Sequence, residues 1–184
     1  MKKISLLIIT LIFTNLAFSQ QFDFRKTNWG FNRDQVILSE KTTPSLNDAE
    51  KLMFNVEVGG LNIYVVYYFI DNKLDRSGYL LTKKHSNVNQ YLKDYENTKS
   101  ILSEFYGSPF VDSATWKNDT FKNDVDKLGL ALSQDHVNLN SRWKTDKSTV
   151  VLLLHGGKGK IYISCMYNSR SQENDLLREI KKQE

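Results

Sequence analysis

The chain has 184 residues, 40% of them apolar and 25% charged, a length that suits one domain or two small halves sharing a core. Its formal charge of +4 comes from lysines and arginines interleaved with acids rather than gathered on one stripe, which argues against a nucleic-acid partner. Cys165 is the only cysteine, so no intramolecular disulfide braces the fold even in a compartment that would permit one.

Residues 1–19 read as a secretory signal peptide. Lys2 and Lys3 supply a positive start, 4–13 form an apolar run, and Ala17-Phe18-Ser19 gives the small-x-small pattern that signal peptidase cuts. The run falls short of the ~20 apolar residues that span a bilayer, and Asn15 interrupts it. The expectation is an exported protein, periplasmic or secreted, with no transmembrane segment in the mature chain. Cleavage removes two lysines and no acid, so the formal surplus falls by two. Gln20 and Gln21 stand where lipidation would need a cysteine, so no covalent lipid anchor is expected.

Past the leader, Asn32 and Gln35 are spaced as a capping box ahead of Val36 and Leu38. Pro44 then interrupts the chain. Strand periodicity follows over 51–58, 61–70 and 74–83, divided by Gly59-Gly60 and by Asp71-Asn72-Lys73, and reads as an antiparallel meander. Val88, Tyr91, Leu92, Tyr95, Leu102 and Phe105 recur at helical steps, with Gly107 and Pro109 as the stop. A short strand near 115–117 and a helix near 124–133, weakened by Gly129, come next. Strands return at 139–144, 149–154 and 160–167, the last containing Cys165 as a packed thiol, with His155-Gly156-Gly157-Lys158-Gly159 as a turn. A polar helix at 172–182 holds on through Leu176, Leu177 and Ile180. The expected fold is a two-layer α+β domain over 20–184, antiparallel sheet packed against helices, in which a helix-plus-three-strand unit is duplicated with halves 20–85 and 86–184.

The stretch Asn28-Trp29-Gly30-Phe31-Asn32-Arg33-Asp34-Gln35-Val36 resembles the Trp-Gly, spacer, Glu/Gln-Val opening of many small exported bacterial proteins of unassigned role. Phe105-Tyr106-Gly107-Ser108-Pro109 resembles the Tyr-Gly-x-Pro helix exit common in them. Together they look like the helix-then-meander unit of outer-membrane assembly lipoproteins of the small-protein-A type and of tandem-repeat β-lactamase inhibitor proteins. The resemblance implies a protein that binds other proteins and is not an enzyme. The chain departs from the lipoproteins in lacking the acylated cysteine, and no inhibitory contact residues carry over.

Motifs of catalysis are missing. Residues 156–161 lack the first glycine of a phosphate loop, and Ile161 stands where that loop needs Ser or Thr. His155-Gly156-Gly157 resembles a lipase oxyanion loop, yet no Gly-x-Ser-x-Gly elbow supplies a nucleophile. His85, His136 and His155 are dispersed without metal-ligand spacing. Asp119, Asp124 and Asp126 do not fit a calcium loop. No metal or cofactor is expected.

The feature that points to a function is residues 61–70, where Ile63, Val65, Tyr67 and Phe69 alternate with Tyr64, Val66, Tyr68 and Ile70, so both faces are apolar. One helix layer covers one face. The other is buried by the second half of the molecule or offered to a partner. The second case makes Tyr64, Val66, Tyr68, Tyr79 and Trp143 the candidate partner-binding residues, since Tyr and Trp dominate protein interfaces. The leading expectation is an exported non-enzymatic protein that binds a protein or peptide partner through this aromatic surface. A carrier of a small apolar or sugar ligand between sheet and helix, and an extracytoplasmic hydrolase, stay open beside it.

Overall fold

The computed structural model describes residues 22–58, 61–81 and 84–170. The leader, the Gly59-Gly60 turn and the helix expected at 172–182 lie outside the described residues. Helix α1 (Arg33–Glu40) starts at the capping box read from the sequence: Gln35 N donates to Asn32 Oδ1 at 2.9 Å, and Asn32 N donates to Gln35 Oε1 at 2.8 Å. After β1 (Leu46–Asn47) come β2 (Lys51–Val58), β3 (Leu61–Ile70) and β4 (Lys73–Leu81). Ile70 pairs with Lys73 across Asp71 and Asn72, both at positive φ, which is the two-residue turn whose twist suits a hairpin.

Helix α2 (Asn89–Tyr106) ends at Gly107, whose φ of 77° no side chain opposes. Strand β5 (Val111–Trp116) is longer than the short strand expected there. The helix expected at 124–133 is broken into a single 3-10 turn at Val125–Lys127 and a six-residue helix α3 (Leu128–Ser133), behind a further turn at Asp119–Phe121. Strands β6 (Val137–Lys144), β7 (Ser148–Gly157) and β8 (Lys160–Ser169) complete the described chain. Gly156 and Gly157, expected in a turn, belong to β7. A side chain at Gly156 would run into the Leu132 carbonyl, so glycine lets α3 sit against the strand.

The eight strands among the described residues form one antiparallel sheet in the order β1-β2-β3-β4-β8-β7-β6-β5. The two meanders are therefore joined edge to edge, with β4 and β8 paired from Arg76↔Asn168 to Leu81↔Ile163. The architecture is mostly sheet, with three α-helices among the described residues. The register sorts the residues into two faces. On one face the pairing runs through Leu52, Tyr67, Ser77, Tyr167, Val150 and Trp143, and in the next row through Phe54, Val65, Tyr79, Cys165, Leu152 and Ser141. These apolar residues belong to a single core cluster, to which α1 adds Val36, α2 adds Tyr95 and Leu102, and α3 adds Ala131 and Leu132. Each fully buried Leu, Val or Phe of such a cluster contributes about 1.5–3 kcal/mol.

The segment before α1 closes the same core. Phe24 lies 5.1 Å from the Tyr79 and Tyr167 ring centres and 5.7 Å from that of Tyr67. Beside it the Arg25 guanidinium grips Glu40 with two of its nitrogens, Nε at 2.8 Å and Nη2 at 3.0 Å.

Candidate binding face

The opposite face of the sheet carries three rows in register. Lys51, Tyr68, Arg76, Asn168, Thr149 and Lys144 form a border row. Met53, Val66, Gly78, Met166, Val151 and Arg142 form the second, and Asn55, Tyr64, Leu80, Ser164, Leu153 and Asn140 the third. Across β3, β4, β8 and β7 the second and third rows make an apolar band. None of these residues belongs to the core cluster, although the described helices all do contribute to it. Val66 lies on this face outside that cluster, but at 1% exposed it offers no accessible surface, contrary to the expectation that it contacts a partner.

The candidate residues thus divide. Tyr64 and Tyr68 are half-buried on this face with Val66 between them, and the Arg76 guanidinium lies 4.5 Å from the Tyr68 ring centre. Tyr79 and Trp143 are on the other side. Tyr79 is 8% exposed and pairs with Val65 in the core; Trp143 is 1% exposed and donates from Nε1 to the Gly107 carbonyl at 2.9 Å. They are core residues, and an accessible surface does not include them. A bulge explains Tyr79. The register slips between Tyr68 and Phe69, so Leu74 and Tyr79 share the core face although they are five residues apart.

Leu80, Val151, Leu153 and Met166 are the residues that aromatic content alone overlooks. Their signal is the one already seen in β3: in β7, Val150, Leu152 and Leu154 alternate with Val151 and Leu153, so that strand too is apolar on both sides.

Elsewhere, the described residues include no group of three or more His, Cys, Asp or Glu placed to hold a metal ion, and no helix long and apolar enough to cross a membrane. His85 Nε2 sits 2.6 Å from Asp94 Oδ2, His136 stacks on Phe121, and His155 stacks on Tyr162, with burial holding His155 below the usual imidazole range. Cys165 is buried, and desolvation pushes its thiol up to about 12. It is an inert packing group.

A cleft of about 240 Å³ opens at the end of α2, between Phe22, Tyr106, Tyr167 and residues 145–148. Asp23 on its wall accepts from Trp29 N at 2.8 Å, and Lys147 Nζ lies 2.9 Å from the second carboxylate oxygen. That contact is close enough for an ion pair but off the line of a hydrogen bond. Desolvation holds the Tyr106 and Tyr167 phenols above the usual range. The chain matches no protein-family model, no curated protein and no solved structure.

Proposed function

We propose that this is an exported, non-enzymatic α+β protein, periplasmic or secreted, that binds a protein or peptide partner through the sheet face bearing Tyr64 and Tyr68. The observation that carries the reading is the apolar band spread over β3, β4, β8 and β7 on the side opposite the three described helices. Apolar residues in a continuous band on a sheet face are stable in water only at a cost, and a partner removes it. Tyr64 and Tyr68 give that band two large amphipathic anchors of the kind that concentrate binding energy. The non-enzymatic part of the reading rests on the sequence motifs alone.

A two-layer build and a duplicated helix-plus-meander unit belong to the same proposal, as does the likeness to small-protein-A-type and tandem-repeat inhibitor proteins. They are supported by the order of elements, in which α1 leads into β2 to β4 and α2 into β5 to β8. The test is capture of partners by the immobilised full chain. A partner held by the wild type is lost with Tyr64→Ala/Tyr68→Ala, whose far-UV circular dichroism and melting cooperativity stay native. Retention of every captured partner by the folded double variant would overturn the reading.

The cleft walled by Phe22, Tyr106 and Tyr167 favours a second reading, carriage of a small ligand with a polar rim and a planar apolar body, such as a sugar. Tyr106→Ala removes one wall. A sugar that shifts the melting temperature of the wild type but not of this variant would put the ligand there.

A further inference from the structure

We infer that the cleft at the end of α2 holds a small cation, an ammonium group carried on a compact flat body, an inference that rests on the cleft reading above and adds the charge that is recognised. Asp23 is the group that selects it. Its side chain is 8% exposed, and its two carboxylate oxygens are used unequally. Oδ2 accepts from Trp29 N at 2.8 Å, whereas Oδ1 is buried without a hydrogen-bond partner among the described residues. A buried carboxylate oxygen that has given up water and gained no aligned donor is left short of one. The backbone around it is fixed. Asp23 N and Phe24 N both donate to the Thr27 carbonyl, at 3.0 and 3.1 Å, and Thr27 Oγ1 donates to the Phe24 carbonyl at 2.8 Å. The oxygen is therefore held in place before any ligand arrives.

An ammonium already stands at that oxygen. Lys147 Nζ lies 2.9 Å from Oδ1, but it comes from a side chain that is 63% exposed and makes no aligned hydrogen bond there. An ion pair on so open a lysine holds weakly, and the lysine has solvent to move into. A ligand ammonium can take its place and align an N–H on Oδ1, which Lys147 does not do. The other charges agree. Asp146, which has a contact of its own, adds a second carboxylate to the lining, and Lys147 is the one cation among the described residues that line the cleft. Arg170 is tied to the same turn, donating from its backbone N to the Lys147 carbonyl at 3.0 Å and from its guanidinium to the Thr145 carbonyl, and Lys26 is exposed on the turn that carries Asp23. Neither lines the cleft. The walls fit the rest of the ligand: Phe22, Tyr106 and Tyr167 suit both a flat body and a positive charge. The Tyr106 hydroxyl, 3.4 Å from that of Tyr167, supplies a polar edge. At about 240 Å³ the space is below the ~300 Å³ at which pockets for drug-sized molecules begin, so the body is a single ring.

Three probes of one shape and different charge, tyramine as the cation, para-ethylphenol as the neutral form and para-hydroxyphenylpropionate as the anion, test this by calorimetric titration of the full chain. Tyramine binds about tenfold more tightly than para-ethylphenol, the gain from one charge-assisted hydrogen bond, and the anion binds most weakly. Asp23→Asn, which keeps an acceptor for Trp29 N, removes the preference for tyramine with native circular dichroism. Lys147→Gln raises tyramine affinity several-fold, because it removes the resident competitor. Should Asp23→Asn fail to fold, the Lys147→Gln result decides alone, since a merely structural pair between Lys147 and Asp23 gives no such gain. Glucosamine bound in place of tyramine, with the same response to both substitutions, supports the inference with a sugar as the body. Equal binding of tyramine and para-ethylphenol, lost for both with Tyr106→Ala, overturns the ammonium inference and leaves the cleft reading standing. Preference for the anion, lost with Lys147→Gln, overturns it in favour of Lys147 as the binding group. Binding of none of the probes and not of glucosamine overturns it, and if neutral sugars also fail to bind, the cleft reading falls with it.

Discussion

Tyr67 donates its phenolic hydrogen to Glu40, the same carboxylate that Arg25 grips with two nitrogens. The contact ties β3 to the end of α1 and to the segment before it. The Glu40 side chain is 3% exposed and the Arg25 side chain 22%, so the pair is largely shielded from water. Removing one partner strands the other charge, which costs more than the pair itself contributes.

Glu40→Gln should therefore destabilise the protein by about 3 kcal/mol, the range for breaking a buried ion pair. Tyr67→Phe should cost about 1.5–3 kcal/mol, the range for a hydrogen bond to a charged group, because Arg25 still satisfies the carboxylate. Urea unfolding followed by circular dichroism checks both. Equal losses for the two variants would mean that the guanidinium is not the main partner of Glu40.

Ser77 is fully buried in the core row between Tyr67 and Tyr167, and its hydroxyl has no hydrogen-bond partner among the described residues. A buried hydroxyl without a partner loses its hydration for nothing. Ser77→Ala should leave the fold intact and stabilise it by about 1 kcal/mol, or about 2–4 °C in melting temperature for a chain of this size. A lower melting temperature would show that the hydroxyl is satisfied in solution.

Burial holds the Cys165 thiol protonated, up to about 12. The native protein should resist an aromatic disulfide reagent at pH 8 and react fully once unfolded in guanidinium, since the thiolate is the nucleophile. The linked stability has a definite sign. The fold favours the neutral thiol, so this contribution is complete below the unfolded thiol value of about 8.5 and is lost as pH rises from there towards 12. Stability that rises over that window would contradict the assignment of Cys165 as a desolvated thiol.

Local chemistry was the legible part of the fold. Asn32 and Gln35 announce their capping box, Asp71-Asn72 its hairpin, and Gly107 its helix stop, because each acts through neighbours in sequence. What sequence does not carry is the seam between β4 and β8, a pairing between residues some ninety positions apart that depends on the whole chain. Tyr79 and Trp143 were placed with the exposed aromatics on composition; the bulge at Asp75 and the register of β6 with β7 put them in the core instead. Gly156 reads as turn chemistry, yet its smallness serves the packing of α3. Tyr64, Val66 and Tyr68 were found from alternation in one strand. Leu80, Val151, Leu153 and Met166 join them only when the register is known.

Adjacent residues of β7 offer the most direct measurement of whether the face opposite the described helices is the one that binds. Leu152 points into the core and Leu153 out onto the apolar band. Leu152→Asp should unfold the protein. Leu153→Asp should keep a cooperative thermal transition while abolishing capture of the partner that the wild type retains. A folded Leu153→Asp protein that still captures that partner at wild-type level would contradict the account.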